Sequence, residues 1–293
     1  MKLTLSHLSK KFGDVCALQD VSIEMEAGIY GILGPNGAGK STLMNVLTGN
    51  LKQDSGEIFY DGENKDSMKK KYRELLGYMP QQQICYPDMT LYEFLNYMSL
   101  LKEVDAGRAK VQIAELLELL NLSDVANRTL RTFSGGMKRR AILAQALLGD
   151  PKILILDEPT AGLDPKERIT LRNLIAELSG DRIVILATHI VSDIECIANR
   201  VVLLRQGRLL ANDSPGHLIG TISGKVGKKQ VGRAQISAMQ KQRNIGNIVQ
   251  SKDGFMVHVI SDTLPSDVEK ITSEITLEDV FLYYFEAEQT HEP

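Results

Sequence analysis

The stretch GPNGAGKST holds Gly34, Pro35, Asn36, Gly37, Ala38, Gly39, Lys40, Ser41 and Thr42. It fits the spacing G-x-x-x-x-G-K-[ST], in which glycines let backbone N–H groups converge on phosphate oxygens. A helix that starts there adds the positive end of its dipole. Lys40 is then placed to reach β- and γ-phosphates, and the Ser41 hydroxyl to ligate Mg²⁺. Further along, ILILDE ends in Asp157 and Glu158. An aspartate closing a buried strand can hold the Mg²⁺ shell, and the glutamate after it can accept a proton from an attacking water. An Asp-Glu pair standing alone is an ordinary strand end. Beside the glycine loop it reads as the second half of a nucleoside triphosphate site.

A second candidate cradle, FSGGM, sets Ser134, Gly135 and Gly136 at the start of a basic, amphipathic helix. A small hydroxyl and two glycines at a helix N-terminus also suit phosphate. This segment lacks a lysine and a preceding buried strand, so it does not duplicate the first. Taken alone, Ser-Gly-Gly is common in flexible loops.

The elements that must carry these residues follow from hydrophobic pattern. Residues 3–8 and 21–25 alternate apolar and polar, which predicts half-buried strands. Residues 29–33 (IYGIL) predict a short strand feeding the glycine loop, and residues 42–47 the helix after it. KILILDEPT (152–160) and DRIVILATH (181–189) are apolar runs typical of parallel strands buried on both faces. Helical patterns separate them, so the fold class is α/β. Between about 84 and 150, TLYEFLNYMSLLKEV and AKVQIAELLELLNL predict a helical insert.

After residue 213 the composition shifts, and Ser214 and Pro215 mark a boundary. From there to Lys252 every charged residue is basic, beginning with Lys225, Lys228, Lys229 and Arg233. The run reads as a solvated face of a small appended domain or as an anion or headgroup site. TLEDVFLYYF closes the chain with Thr276 and Asp279 spaced for a capping box. Leu277, Val280, Phe281 and Tyr284 share one helical stripe, either core or a partner surface.

Composition narrows the function classes. The 293 residues are 43 % hydrophobic, ample for a packed core, and a net charge of -3 gives no basic footprint for nucleic acid. Cys16, Cys85 and Cys196 lack metal or redox spacing, which suits a reducing cytoplasm. The opening MKLTLSHLSKKFGD has no apolar core of a signal peptide. No apolar run approaches the about 18 residues that span a bilayer, so a membrane role has to come through a partner.

Together these ordered motifs resemble the ATPase subunit of ATP-binding cassette transporters, over about residues 1–213. The resemblance implies a P-loop NTPase cassette with a β-sheet core, an antiparallel N-terminal β subdomain and a helical signature subdomain. Residues 214–293 would then form a small α+β accessory region. It implies ATP and Mg²⁺ as cofactors and two head-to-tail subunits, each closing its Ser134 segment on the other's ATP. That accounts for two cradles in one chain. Phe12 in KKFGD matches the aromatic that stacks on adenine, although a core-filling Phe fits the local pattern equally. Gln81, first of three glutamines in GYMPQQQ, matches the residue that contacts Mg²⁺ and the attacking water. Asp164 in AGLDP matches the aspartate bridging the subunits, and His189 the histidine on the γ-phosphate. The segment departs from the usual Leu-Ser-Gly-Gly-Gln at Phe133 and Met137, which puts fine positioning in question.

The partners so implied are integral membrane permease subunits and a second ATPase subunit, with the chain peripheral on the cytoplasmic face of the cell membrane. Residues 81–95 resemble the surface that receives a coupling helix. LEDVFLYYF resembles the end of exporter-type subunits, which favours an exporter built on two of these chains. A soluble cassette ATPase acting on a ribosome, DNA or a metal-cluster scaffold is the competing reading. A non-hydrolysing regulator and a P-loop kinase fit less of the pattern.

Overall fold

The structure, a computed structural model, describes residues 1–81, 86–239, 245–251 and 254–286. Strands β1 (Lys2–Phe12) and β2 (Val15–Glu26) pair as a long, bulged antiparallel hairpin. They outrun the predicted strands because pairing continues to Phe12 and Val15, beside the turn at Gly13. β3 (Gly28–Leu33) leads through the glycine loop into α1 (Lys40–Thr48). β4 (Ser55–Tyr60) and β5 (Glu63–Asn64) return to the hairpin and complete a sheet of order β2-β1-β4-β5. Short helices α2 (Lys65–Met68) and α3 (Lys70–Glu74) precede β6 (Leu76–Met79).

The predicted helical insert contains α4 (Leu91–Leu101), α5 (Ala106–Leu119) and α6 (Gly135–Leu147); its first two residues, 84 and 85, lie outside the described residues. Then come β7 (Ile153–Asp157), α7 (Pro165–Leu178), β8 (Ile183–Ala187), α8 (Val191–Ile197), β9 (Arg200–Arg205) and β10 (Arg208–Asp213). The second sheet has the order β10-β9-β3-β8-β7-β6, with every neighbouring pair parallel except β10 with β9.

Alternation along the parallel strands builds two cores. Ile153 and Ile155 of β7 join Leu43, Met44 and Leu47 of α1 beneath the antiparallel sheet. Leu154 and Leu156 face the other way, into a cluster with Phe94, Ile113 and Leu143 of the helical layer. The continuous apolar runs of β7 and β8 therefore reflect burial on both faces.

Beyond Asp213, α9 (Pro215–Thr221), β11 (Val226–Val231), α10 (Arg233–Met239), β12 (Ile245–Ser251), β13 (Gly254–Ile260), β14 (Glu269–Lys270) and α11 (Leu277–Phe285) follow. The strands form an antiparallel sheet of order β12-β13-β11-β14. Asp279 is fully buried at the start of α11, where it accepts from the Thr276 N–H at 2.9 Å and hydroxyl at 3.2 Å. Leu277 and Val280 are core, and Phe281 and Tyr284 pack at its margin. That cluster also holds Ile194 of α8 and Leu156 of β7, so the α11 stripe is interior rather than a partner surface. Of the basic run, Lys225 pairs with Asp262 at 3.0 Å, Lys228 with Glu269 at 3.8 Å and Lys229 with Asp267. These pairings fit the solvated-face reading; Lys241, Arg243 and Lys252 lie outside the described residues.

Buried cations close the helices that carry the two cradles. The Lys65 ammonium donates to Val46 O at 3.0 Å and the Tyr72 hydroxyl to Leu47 O at 3.1 Å, at the end of α1. The Lys102 ammonium donates to Ala146 O at 3.1 Å and Leu148 O at 2.8 Å, at the end of α6. Carbonyls of a helix's last turn lack the usual i+4 partner, although Val46 O also accepts from the Gly49 N–H at 3.2 Å, and a cation suits the negative end of the dipole. Burial lowers the Lys102 ammonium to about 8. An unfolded lysine titrates near 10.4, so between the two values the unfolded chain binds more protons and stability rises with pH. Wild type minus Lys102→Met should therefore gain up to about 3 kcal/mol of unfolding free energy from pH 8 to 10.4, read from urea unfolding. A flat difference across that window would exclude a buried, titrating Lys102.

Candidate functional site

Parallel strands deliver their carboxyl ends to one edge of the sheet, where ligands of open α/β sheets bind. Here β3, β8, β7 and β6 are consecutive neighbours, and their ends lead into Gly34, His189, Asp157 and Gln81 respectively. Register aligns them: Ile32 and Asp157 both pair with Ala187, and Met79 pairs with Leu156. Residues scattered over more than half the chain are thereby brought to one edge.

The glycine loop is shaped by close approach. Gly39 has φ 106°, and a Cβ there would lie 2.4 Å from Ala17 O. Gly37 adopts φ 80° in open space, so its requirement is conformational alone. Gly39 caps α1 without a side chain, leaving the N–H groups of the first turn free for an anion. The Lys40 ammonium folds back on the loop, donating to Gly34 O at 2.6 Å and Pro35 O at 3.0 Å. Burial lowers its pKa, against the attraction of Glu158 and Asp157. Burial raises the Asp157 carboxyl, Glu158 raises it further, and Lys40 opposes both. Pro35 is half-buried, Ala38 is buried, and Asn36, Gly37 and Ser41 face solvent, with Thr42 partly covered in the first turn of α1.

Glu158 sits just past β7 with φ 52°, a left-handed conformation uncommon outside glycine. Its N–H donates to Ala187 O at 2.8 Å. Its carboxylate accepts from the Thr188 hydroxyl at 3.1 Å and the His189 N–H at 2.9 Å, and His189 Nδ1 lies 2.9 Å from Oε1. The pairing of Glu158 with His189 is therefore direct.

The remaining sequence candidates occupy distinct places. Phe12 ends β1 with its residue surface 51 % exposed, so it is not core-filling and its ring is available for stacking. Gln81 is exposed beyond the end of β6; Gln82 and Gln83 lie outside the described residues, as do two further positions of the 81–95 surface. Ser134 caps α6, accepting from the Met137 N–H at 3.2 Å, and Ser134 and Gly135 are exposed while Gly136 packs against Glu167. Phe133 is buried in the helical core and Met137 packs on it, so both departures from the usual segment serve packing. Asp164 is exposed at the cap of α7, accepting from the Glu167 N–H at 2.9 Å.

Pattern reading missed Asp193. It is 1 % exposed and accepts from the Thr160 hydroxyl at 2.6 Å, Arg168 Nε at 2.7 Å and Arg172 at 3.5 Å. It ties the loop after Glu158 to α7 and to the helix after His189. An acid four residues beyond a histidine carries no signal of burial in a linear sequence.

Among the described residues, no group of three or more His, Cys, Asp and Glu side chains could hold a metal ion. Mg²⁺ is commonly held by one or two carboxylates together with substrate phosphates. Asp157 with the Ser41 hydroxyl fits that arrangement, in which the nucleotide supplies further ligands.

A glycine-loop phosphate site with an acidic pair and a histidine on one parallel-sheet edge defines a P-loop ATPase cassette. A family model described as ABC transporter matches residues 18–161. The chain is 36 % identical over 215 residues to "Nod factor export ATP-binding protein I" of Burkholderia orbicola (strain AU 1054), covering 73 % of this chain and 71 % of that protein. It is 37 % identical over 213 residues to "Probable sulfate/thiosulfate import ATP-binding protein CysA" of Chlorella vulgaris, covering 72 % and 90 %. It spans only 23 % of "ABC transporter A family member 1" of Dictyostelium discoideum, at 37 % identity. The cassette MJ0796, in a dimeric post-hydrolysis state bound to ADP and Pi, superposes with TM-score 0.64 at 25 % identity, over 72 % of this chain and 98 % of that one. The chain belongs to the ABC transporter family, as an ATP-binding, ATP-hydrolysing cassette.

Removing the Asp193 carboxylate strands two partly buried guanidinium groups. Asp193→Ala should lower the unfolding free energy by about 3–5 kcal/mol, the usual cost of breaking a buried ion pair, measured by urea unfolding. Asp193→Asn, which keeps an acceptor oxygen, should lose less.

Proposed function

We propose that two copies of this chain close head to tail around two ATP molecules and drive an exporter through separate integral membrane permease subunits. Residues 1–213 are the working cassette and residues 214–293 an accessory region. The observation that carries this reading is the pair of exposed donors, Ser134 and Gly135, at the start of α6, a phosphate cradle apart from the glycine loop. A second nucleotide, bound by another copy, gives it a ligand.

In this reading Phe12 stacks on adenine, and backbone N–H groups from Gly34 to Thr42 surround the phosphates. Ser41, Asp157 and Gln81 would hold Mg²⁺, which would supply neutralisation of the phosphate charge. The Lys40 ammonium leaves the carbonyls of Gly34 and Pro35 for the phosphates and offsets the charge that develops there. Glu158 takes the proton of the attacking water, His189 contacts the γ-phosphate, and Asp164 bridges the two copies. The partner's Ser134, Gly135 and Gly136 complete the site. Charge stabilisation of this kind works best with water excluded, so splitting the site makes turnover depend on closure. That closure is the stroke a transporter uses.

No helix among the described residues is long and apolar enough to cross a membrane. We assign the membrane-embedded part to partner subunits and this chain to the cytoplasmic face, as the family resemblance implies. The closing helix α11 and the export-named relative support the outward direction, and the import-named relative opposes it. Affinity purification from detergent-solubilised membranes should bring down a polytopic membrane protein in stoichiometric amount. Recovery of the chain with only soluble partners would move it to a soluble ATPase.

Glu158→Gln should keep ATP binding while steady-state phosphate release falls by about 10²-fold or more, the range for loss of a general base. Wild-type turnover in that variant would remove Glu158 from the mechanism.

A further inference from the structure

Helix α6 starts with Ser134 and, one to two turns later, presents Arg139 to the chain's own catalytic edge. The Arg139 guanidinium donates to the backbone carbonyl of Glu158, 19 residues away in sequence. The Ala161 N–H reaches the same carbonyl at 3.4 Å. Glu158 is thus held on every side: its N–H by β8, its carbonyl by α6, and its carboxylate by Thr188 and His189. It is held so at φ 52°, a left-handed backbone conformation that is uncommon for an L-residue and costs some energy.

We propose that Arg139 is a positioning residue that sets the backbone of Glu158, and so ties proton abstraction at one nucleotide to the placement of α6 on the other. The proposal rests on the two-copy reading above. α6 is one continuous helix from Gly135 to Leu147, and Lys102 holds its far end. Movement of Ser134 toward a partner's phosphate therefore moves Arg139 with it. Arg139 carries that movement to the Glu158 carbonyl, and the carboxylate swings about the same residue. A relaxed Glu158 returns to a right-handed backbone, and its carboxylate leaves the line of an attacking water. In this proposal Arg139 acts on Glu158, through its backbone carbonyl.

The test compares Arg139→Met, which keeps the stem and loses the donors, with Arg139→Lys, which keeps one charged donor. Each full-length variant is assayed for phosphate release against ATP concentration, for ATP affinity at equilibrium and for thermal midpoint. Arg139→Met should lose at least tenfold in kcat with ATP affinity within threefold of wild type. Arg139→Lys should recover a substantial part of the rate. Unchanged kcat in Arg139→Met overturns the proposal. So does a parallel loss of kcat, affinity and thermal midpoint that Arg139→Lys does not relieve, which marks a purely structural contact. A failure of the two-copy reading shows separately, as no ATP-dependent dimer of Glu158→Gln on a sizing column. The Arg139 proposal fails by its own measure if that dimer forms while Arg139→Met turns over normally.

Discussion

Parallel pairing of β3, β8, β7 and β6 is the constraint on which the rest of the molecule depends. Strands that run the same way put every carboxyl end on one edge, and each end is where a chain must leave the sheet and can expose a functional group. The pairing is in register, so Asp157 stands level with Ala187 and Ile32. A one-residue slip in β7 would turn Leu154 and Leu156 from the helical core to the opposite face and carry Asp157 away from Lys40. The two apolar cores, one on each face, make such a slip costly. Packing thus protects the catalytic geometry.

Polar groups at this edge are held by one another. Asp193 gathers Thr160, Arg168 and Arg172, while Glu158 gathers Thr188 and His189. The low effective dielectric of such a site strengthens each of these bonds and penalises any that is left unmade. The same environment lowers Lys40 and raises Asp157, and an arriving polyphosphate, being anionic, would favour the charged form of Lys40. The glycine loop contributes little of this by side chain. Its contribution is backbone brought close, and close approach at Gly39 is possible only because no Cβ meets Ala17 O.

Residues 214–286 are joined to the cassette by core rather than by a linker alone. Leu218, Ile222, Leu277 and Val280 share one apolar cluster with the helical layer. The first N–H of α11 donates to Glu195 of α8 at 3.0 Å, and α8 is the helix that follows His189. In the β12-β13-β11-β14 region Lys225, Lys228 and Lys229 each face an acid. Anchored apolar contact on one side and paired charge on the other explain how a small sheet can sit stably at the margin of a larger domain.

The sequence by itself determined the chemistry and the local elements. The glycine-lysine spacing, the acidic pair after an apolar run, and the helix-period insert were all legible because short-range geometry and hydrophobic period are written in adjacent residues. The segment from 55 to 79 was silent: its strands and helices are short and of mixed pattern, and β4 and β6 exist because β1 and β7, formed elsewhere in the chain, accept them as partners. Whether Phe12 was core or exposed, and whether the α11 stripe was core or interface, depended on what lies against them, which no local pattern records. The same holds for Asp193, Lys102 and Arg139. Charged residues on helices read as solvent-facing, and only tertiary structure shows that a buried carbonyl or hydroxyl needs them. Tertiary structure decided which charges became structural, because desolvation is a property of place and not of residue type.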